Sequence, residues 1–338
     1  MPGRRDPGEG RIALGCTSAG GTGRGVRRMG CPALLCLVVA CAGWPPTAGP
    51  EGSGGAAGRL PVSEEDAVSR GDERHAILLA RRRQVGDRYR VRVRALSEQR
   101  VQLGESDSGP RIEVTVAALE ARVQVLAVDP LGRVQRSLVH IEDLVLEVDG
   151  RLVLAFPRNL EVRVERGGRP GYRGEGMTLS AGMRAALELV LDAAPLQPQT
   201  DDDLFGSAAG RQVGERWAVN SRALLRGLAA GGMHMSEITG EVHLQALRAC
   251  GVQRCMELHA RMSGQVEEVP ALPSAFELRS ADMQMQADRV LPLSHSGTVV
   301  SERSELSVQL RGILQTQTGP VPVSFLRRQQ KLVSYGAP

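Results

Sequence analysis

Arg88-Tyr89-Arg90-Val91-Arg92-Val93-Arg94-Ala95 decides the fold. Tyr89, Val91, Val93 and Ala95 alternate with four arginines, and a period of two puts the apolar set on one face of a β-strand and the cations on the other. The alternation returns in Ile112, Val114 and Val116, again from Arg122 to Val128, and in Leu160, Val162 and Val164 set against Glu161, Arg163 and Glu165. Asp129-Pro130-Leu131-Gly132, Asp149-Gly150 and Gly167-Gly168-Arg169-Pro170 are turn signals between these runs. Connections this short favour antiparallel neighbours.

One segment breaks the period. From about Ser180 to Asp192, Met183, Leu187, Val190 and Leu191 recur at helical spacing, with Thr178 or Ser180 as N-cap and Pro195 to stop the helix. Beyond Trp217 the pattern is strand-like again, in Val242, Leu244 and Ala246, in Met256 to Met262, in Met283, Met285 and Ala287, and in Leu306, Val308 and Leu310. The expectation is a mainly β protein with curved antiparallel sheets or an incomplete barrel and one short helix between two halves. A first β-rich half is expected over 75–195, with its helix at about 180–192, and a second over 205–338.

The halves begin alike. Arg211-Gln212-Val213-Gly214-Glu215-Arg216-Trp217-Ala218-Val219 echoes Arg83-Gln84-Val85-Gly86-Asp87-Arg88-Tyr89-Arg90-Val91. The glycine would turn the chain into a strand whose first inward anchor is the aromatic. Duplication of a β unit and chance recurrence in a chain rich in Arg, Val and Gly both fit.

Ahead of the strands, Arg27-Arg28-Met29 precedes an apolar stretch that ends at Val38-Val39-Ala40-Cys41. About a dozen apolar residues are too few for a bilayer, which needs roughly twenty, so the layout is that of a signal peptide, expected over 26–40. Residues 1–25, rich in Gly and Arg, read as a disordered leader or an over-called start, and 41–74 as a flexible tether. Val38-Val39-Ala40-Cys41 resembles the lipobox of bacterial lipoproteins. That resemblance implies cleavage before Cys41, lipidation of its thiol, and a cell-envelope location facing the periplasm or exterior. In architecture the body is similar to periplasmic carriers of lipoproteins and lipids, and equally resembles envelope lipoproteins of uncharacterised function.

The formal charge of +4 is small for 338 residues and three per cent aromatics are too few for base stacking, so no nucleic-acid partner is expected. The basic residues are nearly all arginine, Lys331 being the only lysine. Cys250 and Cys255 are the only cysteines after Cys41, and Cys250-Gly251-Val252-Gln253-Arg254-Cys255 reads as a disulfide-closed hairpin. Direct pairing of the cysteines would set Arg248 opposite Glu257 and Leu247 opposite Leu258. The phase of Val242, Leu244 and Ala246 conflicts with that register unless a bulge or slip intervenes. A zinc site with His243 and His259 fails on distance, since strands rise about 3.3 Å per residue.

Arg88, Arg90, Arg92 and Arg94 are candidate anion contacts, against the plainer reading of a solvated face paired with acids on neighbouring strands such as Glu113, Glu161 or Glu165. Asp201-Asp202-Asp203 lacks the spacing of a calcium loop and reads as a solvated linker. No nucleophile elbow, zinc-protease helix or phosphate loop is present, so no catalytic residue, metal or cofactor is expected. The sequence points to a non-catalytic, lipid-anchored envelope protein that binds an apolar ligand or lipid in a concave sheet. Leu146, Val148, Met283 and Met285 would line that sheet and the helix would lie over it as a lid. The alternative is a structural or adaptor lipoprotein that docks an envelope protein.

Overall fold

The computed structural model describes residues 73–104, 109–167, 170–230, 233–268, 272–294 and 299–337; the leader, the signal, Cys41 and all of the expected tether but Glu73 and Arg74 lie outside them. Its elements run β1 (His75–Ile77), β2 (Arg88–Leu103), β3 (Arg111–Val128), β4 (Val134–Val148), β5 (Arg151–Ala155), β6 (Leu160–Glu165), β7 (Gly171–Gly174) and α1 (Ala181–Val190). There follow α2 (Asp201–Phe205), β8 (Ser207–Arg211), β9 (Arg216–Ala218), α3 (Ser221–Ala230), β10 (His234–Cys250), β11 (Gln253–Glu268), β12 (Phe276–Pro292), β13 (Ser301–Thr316) and β14 (Gly319–Gly336). The strand periodicity is realised as read: in β2, Val91, Val93 and Ala95 are buried while Arg88, Arg90, Arg92 and Arg94 are exposed.

A single antiparallel sheet holds twelve of these strands, in the order β7-β6-β4-β3-β2-β14-β13-β12-β11-β10-β9, with β5 paired to β4. It is not closed into a barrel, because β7 and β9 end it without pairing to each other. The chain's last strand thus lies beside β2, the first long strand of the other half. Helix α1 packs Met183, Ala186, Leu187 and Val190 onto the inner face of the first half, and α3 packs Ala223, Leu224 and Leu228 onto that of the second. Two apolar clusters result, one per half, both touched by Tyr335 at the junction.

The sequence reading held one helix and the described residues form three. The Oγ of Ser180 accepts from Met183 N at 3.2 Å, as expected for α1. The second long helix, α3, has its own cap, Asn220 Oδ1 accepting from Ala223 N at 3.2 Å. Leu224 and Leu228 at i and i+4 were a legible signal for it. Asp201-Asp202-Asp203 is the helix α2 and not a solvated linker. Thr200 and Asp203 form a reciprocal capping box, and Asp202 Oδ1 accepts from Leu79 N and Ala80 N.

The echoed phrases fold alike in detail. Gly86 and Gly214 take φ of +94° and +89°. Gly86 N donates to Val125 O at 2.9 Å and Gly214 N to Leu244 O at 2.8 Å. Asp87 accepts from Gln84 N and Glu215 from Gln212 N, through their side chains. The Arg83 guanidinium stands 4.5 Å over the Tyr89 ring and that of Arg211 5.1 Å over Trp217. In both, a short-range cap, a positive-φ glycine and a cation on an aromatic face set the chain into its strand.

The join between the halves is unusual. β2 and β14 pair at Tyr335↔Val91 and Gly336↔Arg90, and at the far end Gly104 N donates to Pro322 O at 2.7 Å in the same register. Between Arg92 and Leu103 no ladder pair links them among the described residues. The inward face of β14 along this seam carries Arg327, Gln329 and Lys331, all buried.

A Cβ at Gly86 or Gly214 would meet open space, so alanine there tests backbone strain alone. Gly86→Ala and Gly214→Ala should each lower stability by about 1–2 kcal/mol, through positive φ and without a clash. Urea unfolding followed by circular dichroism checks this.

Candidate functional site

The seam is where the inner face opens. A cavity of about 310 Å³ lies between the sheet, the C-terminal end of α1, the chain from Leu191 to Thr200, α2 and α3. One wall is apolar and made by Val91, Val93, Val123, Val139, Val164 and Val333 from five strands. Its roof is the connecting segment and not α1 itself. Tyr172 Oη donates to Leu191 O at 3.1 Å, Arg166 Nε to Ala194 O at 3.2 Å, and Arg133 Nη1 to the carbonyls of Gln197 and Gln199. Leu146, Met283 and Met285, which the sequence suggested as lining, are instead packed inside the two cores. Val148 does not line the cavity either.

The rest of the lining is largely charged. Arg289, two per cent exposed, places Nη1 2.9 Å from Asp201 Oδ2 on α2 and Nε 2.9 Å from Glu302 Oε1 on β13. Tyr335 Oη reaches Glu302 Oε2 at 3.5 Å, and its ring sits 6.0 Å from that of Tyr89. Lys331 is four per cent exposed. Burial pushes the Glu302 carboxyl up to about 7, although Arg289 pulls the other way. Burial also draws the Lys331 ammonium down to about 8, opposed by Asp192 and Glu302. The Tyr335 hydroxyl is raised by the same loss of water.

Of the residues the sequence suggested as site or lining, none lines this cavity, and Cys41 is outside the described residues. Cys250 and Cys255 form a disulfide. The cysteines do not oppose each other as expected: Cys250 pairs with Gln253 and Cys255 with Arg248 across a two-residue turn, and a bulge at Gln245 restores the phase of Leu244, now opposite Leu258. Arg248 still bonds Glu257, diagonally at 2.8 Å. Arg90 pairs with Glu142 at 3.1 Å and Arg92 with Glu120 at 3.2 Å. Arg88 and Arg94 lie on the same exposed face. The acids on neighbouring strands thus exist, but they are not Glu113, Glu161 or Glu165.

Arg289, Glu302, Lys331 and Tyr335 were missed. The only lysine of an arginine-rich chain was a signal, but β14 alternates polar and apolar on both faces, so no period told which face is buried.

No protein-family model matches the chain, and no curated protein matches it. Among solved structures, a chain from a structure of lipid–protein interactions in lipovitellin is similar over 75% of this chain and 26% of its own length, with 11% identity and a TM-score of 0.32. This chain therefore spans about a quarter of that one.

A carboxyl with a folded pKa above its unfolded one holds more protons folded than unfolded in between. Its contribution is fully present below about 4.5 and is lost as pH climbs through about 7. Lys331, lowered from 10.5 to about 8, acts in the opposite sense, and stability is regained as pH rises from about 8 to 10.5. Relative to Glu302→Gln, the wild-type melting temperature should fall from pH 4.5 to 7; parallel curves in a pH series of calorimetric melts would deny it.

Proposed function

We propose that this chain is an exported envelope lipoprotein, anchored through Cys41 and non-catalytic, whose β-rich body holds an apolar ligand. The observation that carries the ligand reading is the roofed cavity of about 310 Å³ with a wall of six valines, a size at the lower end of pockets that enclose small molecules. Dry apolar volume in a core is otherwise filled by side chains, because an unfilled cavity forfeits packing energy. The anchor rests on Val38-Val39-Ala40-Cys41 and on the cationic run before it.

The adaptor alternative draws on the two open edges of the sheet, β7 and β9, which present unpaired backbone groups suited to an added strand.

Native mass spectrometry of the protein extracted from membranes should show a bound lipid-sized mass. A bare polypeptide that crosslinks in cells to a defined envelope protein would favour the adaptor instead. Labelling with a fatty-acid analogue should mark the wild type and leave Cys41→Ala unmarked; equal labelling of both removes Cys41 as the anchor.

A further inference from the structure

The cavity walls carry six cations, Arg81, Arg83, Arg133, Arg166, Arg289 and Lys331, against three acids, Asp192, Asp201 and Glu302. The arginines are committed. Arg81 donates to the carbonyls of Pro292 and Ser294, Arg83 covers the Tyr89 ring, and Arg133 bonds Asp129 at 2.6 Å. Arg166 pairs with Asp192 at 2.9 Å, and Arg289 with Asp201 and Glu302. Lys331 stands apart: its ammonium has no ion-pair partner within 4.0 Å among the described residues, and it is buried at the cavity wall. A buried ammonium whose acting carboxylates, Asp192 and Glu302, stand beyond ion-pair distance is disfavoured unless something in the site bonds it. Two buried atoms of the lining, Arg81 Nε and Gln199 Oε1, lack a hydrogen-bond partner among the described residues. On the same face of β14, Val333 stands next to Lys331, and the valines of the neighbouring strands continue that face. Polar and apolar requirements thus meet in one cavity, which is the signature of an amphiphile.

We infer that the cavity takes a single-chain amphiphile whose anionic head, a carboxylate or a phosphate monoester, pairs with Lys331 while its chain lies along the valine wall. This rests on the ligand-binding reading above and names the ligand's chemistry. The volume of about 310 Å³, at the lower end of ligand pockets, favours one acyl chain over two. With the arginines committed, Lys331 sets the sign of the head group, in a site where low dielectric strengthens the pairing. Free phosphate would satisfy Lys331 equally but would leave the valine wall uncovered.

The test is calorimetric titration of the delipidated full-length protein at pH 7 with dodecanoate, dodecyl phosphate, 1-dodecanol and inorganic phosphate. Both anionic amphiphiles should bind about tenfold or more tighter than the alcohol, as expected for a charge-assisted bond. Lys331→Met should bring them to the level of the alcohol while leaving alcohol binding in place, and Lys331→Arg should keep the preference. Melting curves of each variant show that it is folded. Equal affinity for anion and alcohol in the wild type, an unchanged preference in Lys331→Met, or inorganic phosphate binding as tightly as dodecyl phosphate would overturn the head-group assignment. Absence of binding by any amphiphile, the alcohol included, would instead remove the ligand-binding reading itself.

Discussion

The Arg289 guanidinium, buried between Asp201 and Glu302, is the contact on which the interior depends. A cation removed from water is tolerated only while its partners stay in place, and stripping one away typically costs about 3–5 kcal/mol. Asp201 belongs to α2 and Glu302 to β13, so this cluster fixes a helix over the sheet. Through the neighbouring Asp202, the same helix holds the backbone of Leu79 and Ala80. β1, which pairs with β8, is thereby tied to the second half although it opens the first.

The cavity follows from how the halves are joined. Each half supplies a sheet segment and a helix that buries most of its apolar face, while Ile77 and Leu79 of the first half enter the second core and Val333 of the second enters the first. What remains at the junction is space bounded by the edge of one core, the edge of the other and a connecting segment. β2 and β14 meet there with ladder pairs at one end and a single further backbone bond at the other. Along this seam β14 turns Arg327, Gln329 and Lys331 inward. Apolar and charged groups line one cavity because the two cores abut along this polar seam.

The fold was legible wherever one face of a strand was clearly apolar. β2 is the clearest case: valines alternating with arginines leave one stable orientation. The shared Gln-Val-Gly-acid phrase was legible for a related reason, since a positive-φ glycine, an acidic cap and an aromatic act within a few residues of each other. The hairpin at Gly251-Val252 shows the limit. Its disulfide could be read, but its register depended on a bulge at Gln245 that no local rule placed. Arg92 found an acid on the adjacent β3 and Arg90 one on β4, a strand further on, yet which acids depended on the register of β2 with β3 and of β3 with β4.

The sequence by itself determined the class of fold, the positions of most strands, the helix after Ser180 and the repeated entry turns, because periodicity and capping are local. Only the tertiary structure decided that the two halves share one sheet, that Asp201 is a helix residue facing Arg289, and that Lys331 is buried. The reason is physical: in Phe325-Leu326-Arg327-Arg328-Gln329-Gln330-Lys331-Leu332-Val333 both faces carry the same mixture of polar and apolar groups. With no hydrophobic phase to choose between them, the neighbours assembled from the distant half made the choice.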